Sequence, residues 1–148
     1  MKQYDNEISD NDVPCLGFGL AKCSNLTDLT LDLSYNKIYA IGALGLCSDL
    51  VNCTNLSNLN LNLNFNQIGA TGVSGLGTDL AKCTNLSTLK LQLCQNKIGD
   101  VGVSGLGFAL AKCTNLSNLA LDFYHNQIGD QGDQAQVLVQ QIALNYKI

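Results

Sequence analysis

The chain repeats itself every 30 residues, and this period constrains its fold more than any other feature. Cys23, Cys53, Cys83 and Cys113 lie 30 residues apart, and each begins a near copy of one segment. The units that begin at Cys53 and Cys83 agree at 20 of 30 positions without a gap. Such regular self-similarity indicates an array of stacked units rather than a globule with one closed core.

Each unit contains two different hydrophobic periods. In the second unit Leu59 and Leu61 occupy alternate positions, which predicts a strand with one face turned inward. Farther along, Val73, Leu76 and Leu80 follow spacings of three and four, which predict a helix with one apolar stripe. A strand and a helix in only 30 residues cannot bury both apolar faces alone. Stacked copies can, with the strands in a parallel sheet and the helices in an outer layer.

The recurring residues resemble the leucine-rich repeat family. The second unit carries Leu56, Leu59 and Leu61, followed by Asn66 and Ile68, in the order LxxLxL…NxI. The 30-residue length, the cysteine at the start of each unit and the helical second half resemble the ribonuclease-inhibitor-like subclass. The resemblance implies an α/β fold, a leucine-rich-repeat solenoid with a curved parallel sheet inside and helices outside. An additional x-Leu pair before the asparagine departs from the family pattern and predicts a longer strand.

We predict a single domain over residues 1–148, built from about four repeats and an N-terminal half-repeat. The expected parts are the half-repeat at 1–22, repeats at 23–52, 53–82 and 83–112, and a last repeat with a C-terminal capping helix at 113–148. The half-repeat is expected because residues 3–8 align with residues 33–38, near the end of a strand. The strand near Leu31 is then only partly covered, and we expect it to pair with another chain or with an upstream segment.

Two columns of recurring residues are predicted to be structural. The asparagine offers both a donor and an acceptor to the turn that leaves the sheet, and the cysteine is a small buried thiol before the strand. A column that rises by one repeat at a time cannot surround one metal ion. These structural positions are Cys23, Cys53, Cys83, Cys113, Asn36, Asn66, Asn96 and Asn126.

Three further features carry local expectations. Cys94 lies outside the cysteine column and is expected at the surface, as a thiol that could react. Asp100 and Asp130 precede the predicted helices and are expected to be their N-caps. Glycines such as Gly72 and Gly75 are expected to let each helix approach the sheet closely.

Composition and charge argue against several functions. A net charge of −4 disfavours a nucleic-acid partner, since such binding depends on clustered lysine and arginine. No apolar run is long enough to span a membrane, and the first ten residues lack the apolar core of a secretory signal, so we expect a cytoplasmic protein. His125 is the only histidine, and no activated nucleophile accompanies it. We therefore predict no metal, no cofactor and no enzymatic activity.

The positions at which the copies differ predict the binding surface. Outward-facing strand residues and the residue after them vary between units, whereas the inward leucines do not. By resemblance to the family, these side chains tile a concave recognition face. Polar, mostly neutral side chains with a few aromatics favour a protein partner. The predicted binding residues are Thr30, Asp32, Ser34, Tyr35, Asn60, Asn62, Asn64, Phe65, Lys90, Gln92, Gln95, Asp122, Tyr124 and His125.

We therefore expect a non-catalytic module for protein–protein interaction or scaffolding, whose partner is another protein. One alternative is a regulator such as a GTPase-activating protein, because the Ran GTPase activator shares the NxIxxxG style of repeat. For that function we identify no arginine that would act on a GTPase. The other alternative is a structural subunit of a larger assembly.

Overall fold

Helices and strands alternate along residues 6–129, the part of the chain that the computed structural model describes. The four strands of this part form one parallel sheet in the order β1-β2-β3-β4, and the helices pack against their neighbours along the outer layer. This is the predicted α/β architecture of parallel strands and outer helices. The elements are α1 (Val13–Ala21), β1 (Asp28–Asp32), α2 (Ala40–Leu50), β2 (Asn58–Asn62), α3 (Gly69–Leu80), β3 (Thr88–Gln92), α4 (Gly99–Leu110) and β4 (Asn118–Asp122).

The register of the sheet equals the sequence period. Each strand residue pairs with the residue 30 positions later, so that Leu29, Leu59, Leu89 and Leu119 form one row. The ladder continues past the five-residue strands, because the Leu33 N–H donates to the Asn62 carbonyl at 2.8 Å. The additional x-Leu pair therefore lengthens the hydrogen-bonded ladder.

The core lies between the sheet and the helices. The strand leucines Leu61 and Leu91 and the helix leucines Leu76 and Leu106 are all 0% exposed. Side chains of this kind leave water only because neighbouring units cover both sides of each unit. At the first strand this cover is thinner, and Leu29 is only half-buried.

Close approach at the glycines occurs between helices, whereas we had predicted it between helix and sheet. A Cβ added at Gly72 would lie 2.9 Å from the Cα of Ala40 in the preceding helix, and one at Gly102 would lie 2.9 Å from the Cα of Ala70. Backbone so near leaves no room for a side chain, so glycine is required at both positions. The repeat pattern predicted a close approach at these glycines, but it did not show which neighbouring element they approach.

The prediction that Asp100 caps its helix is wrong. Ile98 precedes α4 as the N-cap residue and makes no side-chain capping bond, while Asp100 lies inside the first turn. There its carboxylate accepts a hydrogen bond from the Gly129 N–H of the next unit, at 2.7 Å. The acid therefore links two units, in a helix turn where the dipole favours negative charge. Asp130 and the predicted capping helix lie outside the described residues.

Residues of the half-repeat continue the stack in front of the first strand. The Asn6 N–H donates to the Tyr35 carbonyl and the Lys37 N–H donates to the Ile8 carbonyl, each at 3.0 Å. Helix α1 packs against α2. The amino-terminal unit thus supplies a turn and a helix to the stack.

Candidate protein-binding surface

The predicted binding residues come together in four rows that cross the sheet. The first two rows lie on the outward side of the strands, which we call the concave face, and the next two follow the strand ends. Because one residue of each unit enters each row, the rows run from unit to unit. They contain Thr30, Asn60 and Lys90; Asp32, Asn62, Gln92 and Asp122; Ser34, Asn64 and Tyr124; and Tyr35, Phe65, Gln95 and His125.

Three carboxylates and one ammonium group charge the concave face. Asp28 and Asp32 belong to the first strand, Asp122 to the fourth, and Lys90 to the third. The Thr27 hydroxyl and the Asn58 amide hold the pKa of Asp28 below its ordinary value, and hydrogen bonds from Ser34 do the same for Asp32. The acids at this end of the sheet are therefore ionised at neutral pH.

Short polar side chains shape the turn after each strand. The carboxylate of Asp32 accepts a hydrogen bond from the Ser34 N–H at 2.9 Å, and that of Asp122 accepts one from the Tyr124 N–H at 3.0 Å. Such a bond to the backbone two residues later is an Asx-turn, which stabilises the exit from a strand. These residues thus fix the positions of the following side chains as well as contributing to the surface.

Cys94 is buried, and its predicted place at the surface is wrong. Its side chain is 8% exposed, and its N–H donates to the Oδ1 of Asn64 at 2.7 Å. Burial raises the pKa of the Cys94 thiol, and the nearby charge of Asp122 raises it further. Cys94 lies in the row between Asn64 and Tyr124, and strand parity alone does not reveal that it is buried. The thiol is therefore a poor nucleophile.

The residue directly before each ladder asparagine has a left-handed backbone. The φ angles of Tyr35, Phe65, Gln95 and His125 are 55°, 56°, 53° and 59°, and we call these four residues the rim column. Side chains other than glycine, asparagine and aspartate rarely adopt this conformation, because the Cβ crowds the following carbonyl at a cost of about 1–2 kcal/mol per residue. The chain thus holds four large side chains in strained backbone along one edge of the sheet.

Aromatic contacts order both ends of this edge. The rings of Tyr35 and Phe65 stack with centroids 4.3 Å apart and planes 9° apart. The Tyr124 ring, whose residue is 68% exposed, lies 4.0 Å from the His125 ring at a tilt of 52°. Stacked rings present a preorganised flat surface, which loses little side-chain entropy when a partner binds.

A shallow groove of about 600 Å³ runs beside the rim column. Sequence reasoning missed three residues in its wall: Gln67, Lys97 and Gln127. The Lys97 ammonium donates to the Gln67 side-chain carbonyl at 3.1 Å, and both Lys97 and Gln127 have left-handed φ angles. Each of these three residues lies two positions after a member of the rim column. That spacing is the only sequence signal for them, because no hydrophobic pattern marks them. The groove extends the candidate surface beyond the predicted residues.

The asparagine column lies beneath this edge. Asn36, Asn66, Asn96 and Asn126 are buried, and each amide donates to backbone carbonyls near the strand ends. Their Oδ1 atoms accept N–H groups of the preceding unit, as Asn66 does from Ile38 at 3.0 Å. With donor and acceptor both engaged inside the fold, these side chains mainly support the surface, although Asn36 and Asn66 also reach the wall of the groove.

The cysteine column is exposed only at its first member. Cys53 and Cys113 are buried, Cys83 is half-buried, and Cys23 is exposed, contrary to the prediction of a buried thiol there. Cys23 lies at the first full unit, where fewer neighbours cover it. Burial raises the pKa of Cys53 and Cys113, and that of Cys83 to about 11.

The described residues contain neither a cluster of metal ligands nor a helix that could span a membrane. Within residues 6–129, no three histidine, cysteine or acidic side chains lie together as metal ligands would. Over the same residues, every helix is too short or too polar to cross a membrane.

Comparison with known proteins gives a family and a similar structure. Residues 22–47, 52–77 and 82–107, together more than half of the chain, match the family described as Leucine Rich repeat. No curated protein matches the chain. A solved structure titled leiomodin-1 actin-binding site 2 is similar, with a TM-score of 0.72 and 16% sequence identity. The match covers 98% of this chain and 77% of that one, and at this identity it shows a shared fold.

Proposed function

Because the chain belongs to the leucine-rich repeat family, we propose that it is a non-catalytic module that binds another protein. The proposed binding surface comprises the concave face, the rim column and the groove beside it. We also propose that the chain belongs to the ribonuclease-inhibitor-like subclass, which the 30-residue unit, the cysteine at its start and the helix in its second half support. Its seven free thiols favour the cytoplasm, where cysteines stay reduced.

The single observation that carries this proposal is the rim column. Its four bulky residues occupy a backbone conformation that glycine or asparagine would adopt with less strain. Strained positions persist where the side chain serves a purpose other than folding, and they cluster at ligand-binding sites. Two of the four are aromatic and stacked on one another, and aromatic side chains dominate the energy of protein interfaces. The strain is therefore explained if these side chains contact a partner.

The centre of the concave face offers a second, weaker argument. The Oδ1 of Asn60 is buried and has no hydrogen-bond partner among residues 6–129. An unsatisfied carbonyl of this kind lowers stability by about 1–3 kcal/mol, so a residue selected for folding alone would not be expected there. Mixed charges on this face, with Lys90 among the aspartates, suit a polar protein surface more than a membrane or nucleic acid.

The similar solved structure is compatible with a binding role. Its title describes an actin-binding site, so the same fold serves protein binding in that molecule. At 16% identity the partner is not transferred, and the identity of this chain's partner must come from experiment.

The experiment is affinity capture from native extract with two matched variants of the full chain. The first, Tyr35→Ala/Phe65→Ala/Tyr124→Ala, removes the aromatic side chains of the proposed surface. The second, Ile41→Ala/Phe108→Ala, removes exposed apolar side chains of the outer helix layer, which are 72% and 67% exposed. Circular dichroism checks that both variants fold.

Proteins that bind the proposed surface are captured by the native chain and by the helix variant. With the aromatic variant their recovery is expected to fall at least about tenfold, because interface aromatics are each worth about 2 kcal/mol or more. Equal recovery with both variants would show that the partner binds elsewhere, and the proposal would be wrong.

A further inference from the structure

The groove beside the rim column carries a positive charge that its own wall does not neutralise. In the two inner units this wall includes Gln67, Gln95 and Lys97, and none of the described residues that line the groove is acidic. The chain as a whole has 12 acidic residues and 8 basic ones, so a wall without an acid departs from the overall composition. The groove therefore attracts a negative group, in contrast to the acidic molecule around it.

The ammonium of Lys97 is held in place by a neutral partner. Lys97 belongs to neither of the ion pairs found among residues 6–129. Its ammonium donates to the Oε1 of Gln67 at 3.1 Å, and the Nε2 of Gln67 donates to the Tyr39 hydroxyl at 3.3 Å. Gln67 thus positions the ammonium beside the groove and leaves its charge uncompensated.

The backbone of Lys97 differs from that of its equivalent in the preceding unit. The Gln67 N–H donates to the Ile38 carbonyl at 2.9 Å, whereas the Lys97 N–H has no protein partner among residues 6–129. Lys97 also has a left-handed φ of 59°, which is unfavourable for a residue with a Cβ. This strained residue therefore has a backbone donor, as well as its ammonium, that an acceptor from another molecule can fill.

An aromatic ring lines the same groove. Phe65 stacks on Tyr35 and contributes to the wall. Phe65 and Lys97 belong to adjacent units, about 4.8 Å apart across the sheet, and differ by two positions within the repeat. An extended segment carries side chains i and i+2 on one face, about 6.6 Å apart. One of these side chains can contact the ring while the other reaches the ammonium.

We propose that the groove binds a segment of the partner protein in which aspartate or glutamate lies two residues from an aromatic side chain. The carboxylate pairs with the Lys97 ammonium, and the aromatic side chain packs on Phe65. This inference rests on the function proposed above, because it names the chemistry of that partner. A net charge of −4 disfavours the other common polyanion, a nucleic acid, whose many phosphates the acids of this chain would repel.

The test is a nuclear magnetic resonance titration of the isotope-labelled full chain with the capped peptide Ser-Phe-Thr-Glu-Ser. Capping removes the terminal charges. The control Ser-Phe-Thr-Gln-Ser lacks the carboxylate, and the control Ser-Phe-Glu-Thr-Ser has it at the adjacent position. The first peptide is expected to bind about fivefold more tightly than either control, which corresponds to an exposed ion pair of about 1 kcal/mol. Equal binding of the three peptides would overturn the proposal.

Two matched variants locate the carboxylate. Lys97→Gln should reduce the preference for the first peptide to less than about twofold, and it should fold because glutamine occupies the equivalent positions 67 and 127. Lys112→Gln removes an exposed lysine just after α4 and should leave the fivefold preference unchanged. If both variants keep the preference, or both lose it, the carboxylate does not bind at Lys97 and the proposal is wrong.

The resonances that move identify the surface and the class of ligand. The backbone amide signals of Gln67, Gln95 and Lys97 should shift most, and shifts confined to the helix layer or to the centre of the concave face would overturn the proposal. A thymidine oligonucleotide should not displace the peptide. Displacement would make a nucleic acid the occupant of the groove, which also contradicts the proposal.

Failure of this inference differs in its outcome from failure of the proposed function. If the three peptides bind alike while the aromatic variant still loses the captured proteins, the chain binds a protein partner but not through an acidic segment in the groove. If the captured proteins are recovered equally with the aromatic variant, the proposed function is wrong, and this inference is wrong with it.

Discussion

Replacing Asn96 with alanine is expected to lower the free energy of unfolding by about 2–4 kcal/mol. Asn96 is 0% exposed, and its Oδ1 accepts a hydrogen bond from the Ile68 N–H at 3.3 Å. The Asn96 amide also donates to the Leu63 carbonyl, but that carbonyl keeps its bond from Asn66 at 3.1 Å when Asn96 is truncated. Among residues 6–129, the Ile68 N–H has no such second partner.

The remaining contacts of Asn96 are also duplicated. The Leu93 carbonyl accepts from Asn126 at 2.7 Å, and the Cys94 carbonyl accepts from the Phe65 N–H at 2.8 Å. The cost of the substitution is therefore one orphaned buried N–H, about 1–3 kcal/mol, plus about 1 kcal/mol for lost hydrogen bonds and packing.

Urea denaturation followed by circular dichroism measures this loss, with the slope of the transition checked for constancy. Asn85→Ala is the control: its amide donates to the Thr54 carbonyl in an exposed position, so less than about 0.5 kcal/mol is expected. If Asn96→Ala costs no more than Asn85→Ala, the argument that the ladder asparagines satisfy buried backbone groups is refuted.

Three further outcomes follow from features described above. Gln95→Gly is expected to stabilise the chain by about 0.5–1 kcal/mol in thermal or urea denaturation, because it relieves a left-handed φ of 53°; a loss of stability would contradict the assigned strain. Gly72→Ala is expected to destabilise by about 1–3 kcal/mol in the same assay, because its Cβ would meet the backbone of Ala40, and an unchanged midpoint would show that the helices separate freely. With iodoacetamide at pH 8, mass spectrometry should find Cys23 alkylated in the folded chain and Cys83 alkylated only after denaturation, because burial raises the pKa of Cys83 to about 11; equal rates would show that the thiol is accessible.

Periodicity predicted the sheet to the level of its register. A 30-residue spacing between copies becomes a 30-residue spacing between paired residues, because identical units can stack only with equivalent positions side by side. The same logic predicted the asparagine ladder from Asn66 and its equivalents, since a turn that leaves a sheet needs both a donor and an acceptor.

Structural features that depend on the identity of one neighbouring side chain could not be predicted from the repeat period. Cys94 is expected outside because its parity matches the outward residues, yet it is buried and its N–H is bonded to the side chain of Asn64. The left-handed backbone of Phe65 and its equivalents had no signal either, because the residues in that row are not the glycine or asparagine that usually mark such a conformation. The members of the candidate surface thus remain a prediction from the sequence, and neither their backbone strain nor the groove beside them had a sequence signal.

The asparagine bonds that cross from unit to unit have a consequence for how such a molecule changes size. Each unit offers an asparagine acceptor to the unit before it and a backbone N–H donor to the unit after it. Asn66 accepts the Ile38 N–H, and the Ile68 N–H donates to Asn96. Another 30-residue block inserted between two existing ones would meet the same partners above and below, and would widen the sheet by one strand spacing, about 4.8 Å. Duplication or deletion of a block therefore lengthens or shortens the molecule by whole repeats, and the contacts between adjacent repeats stay the same.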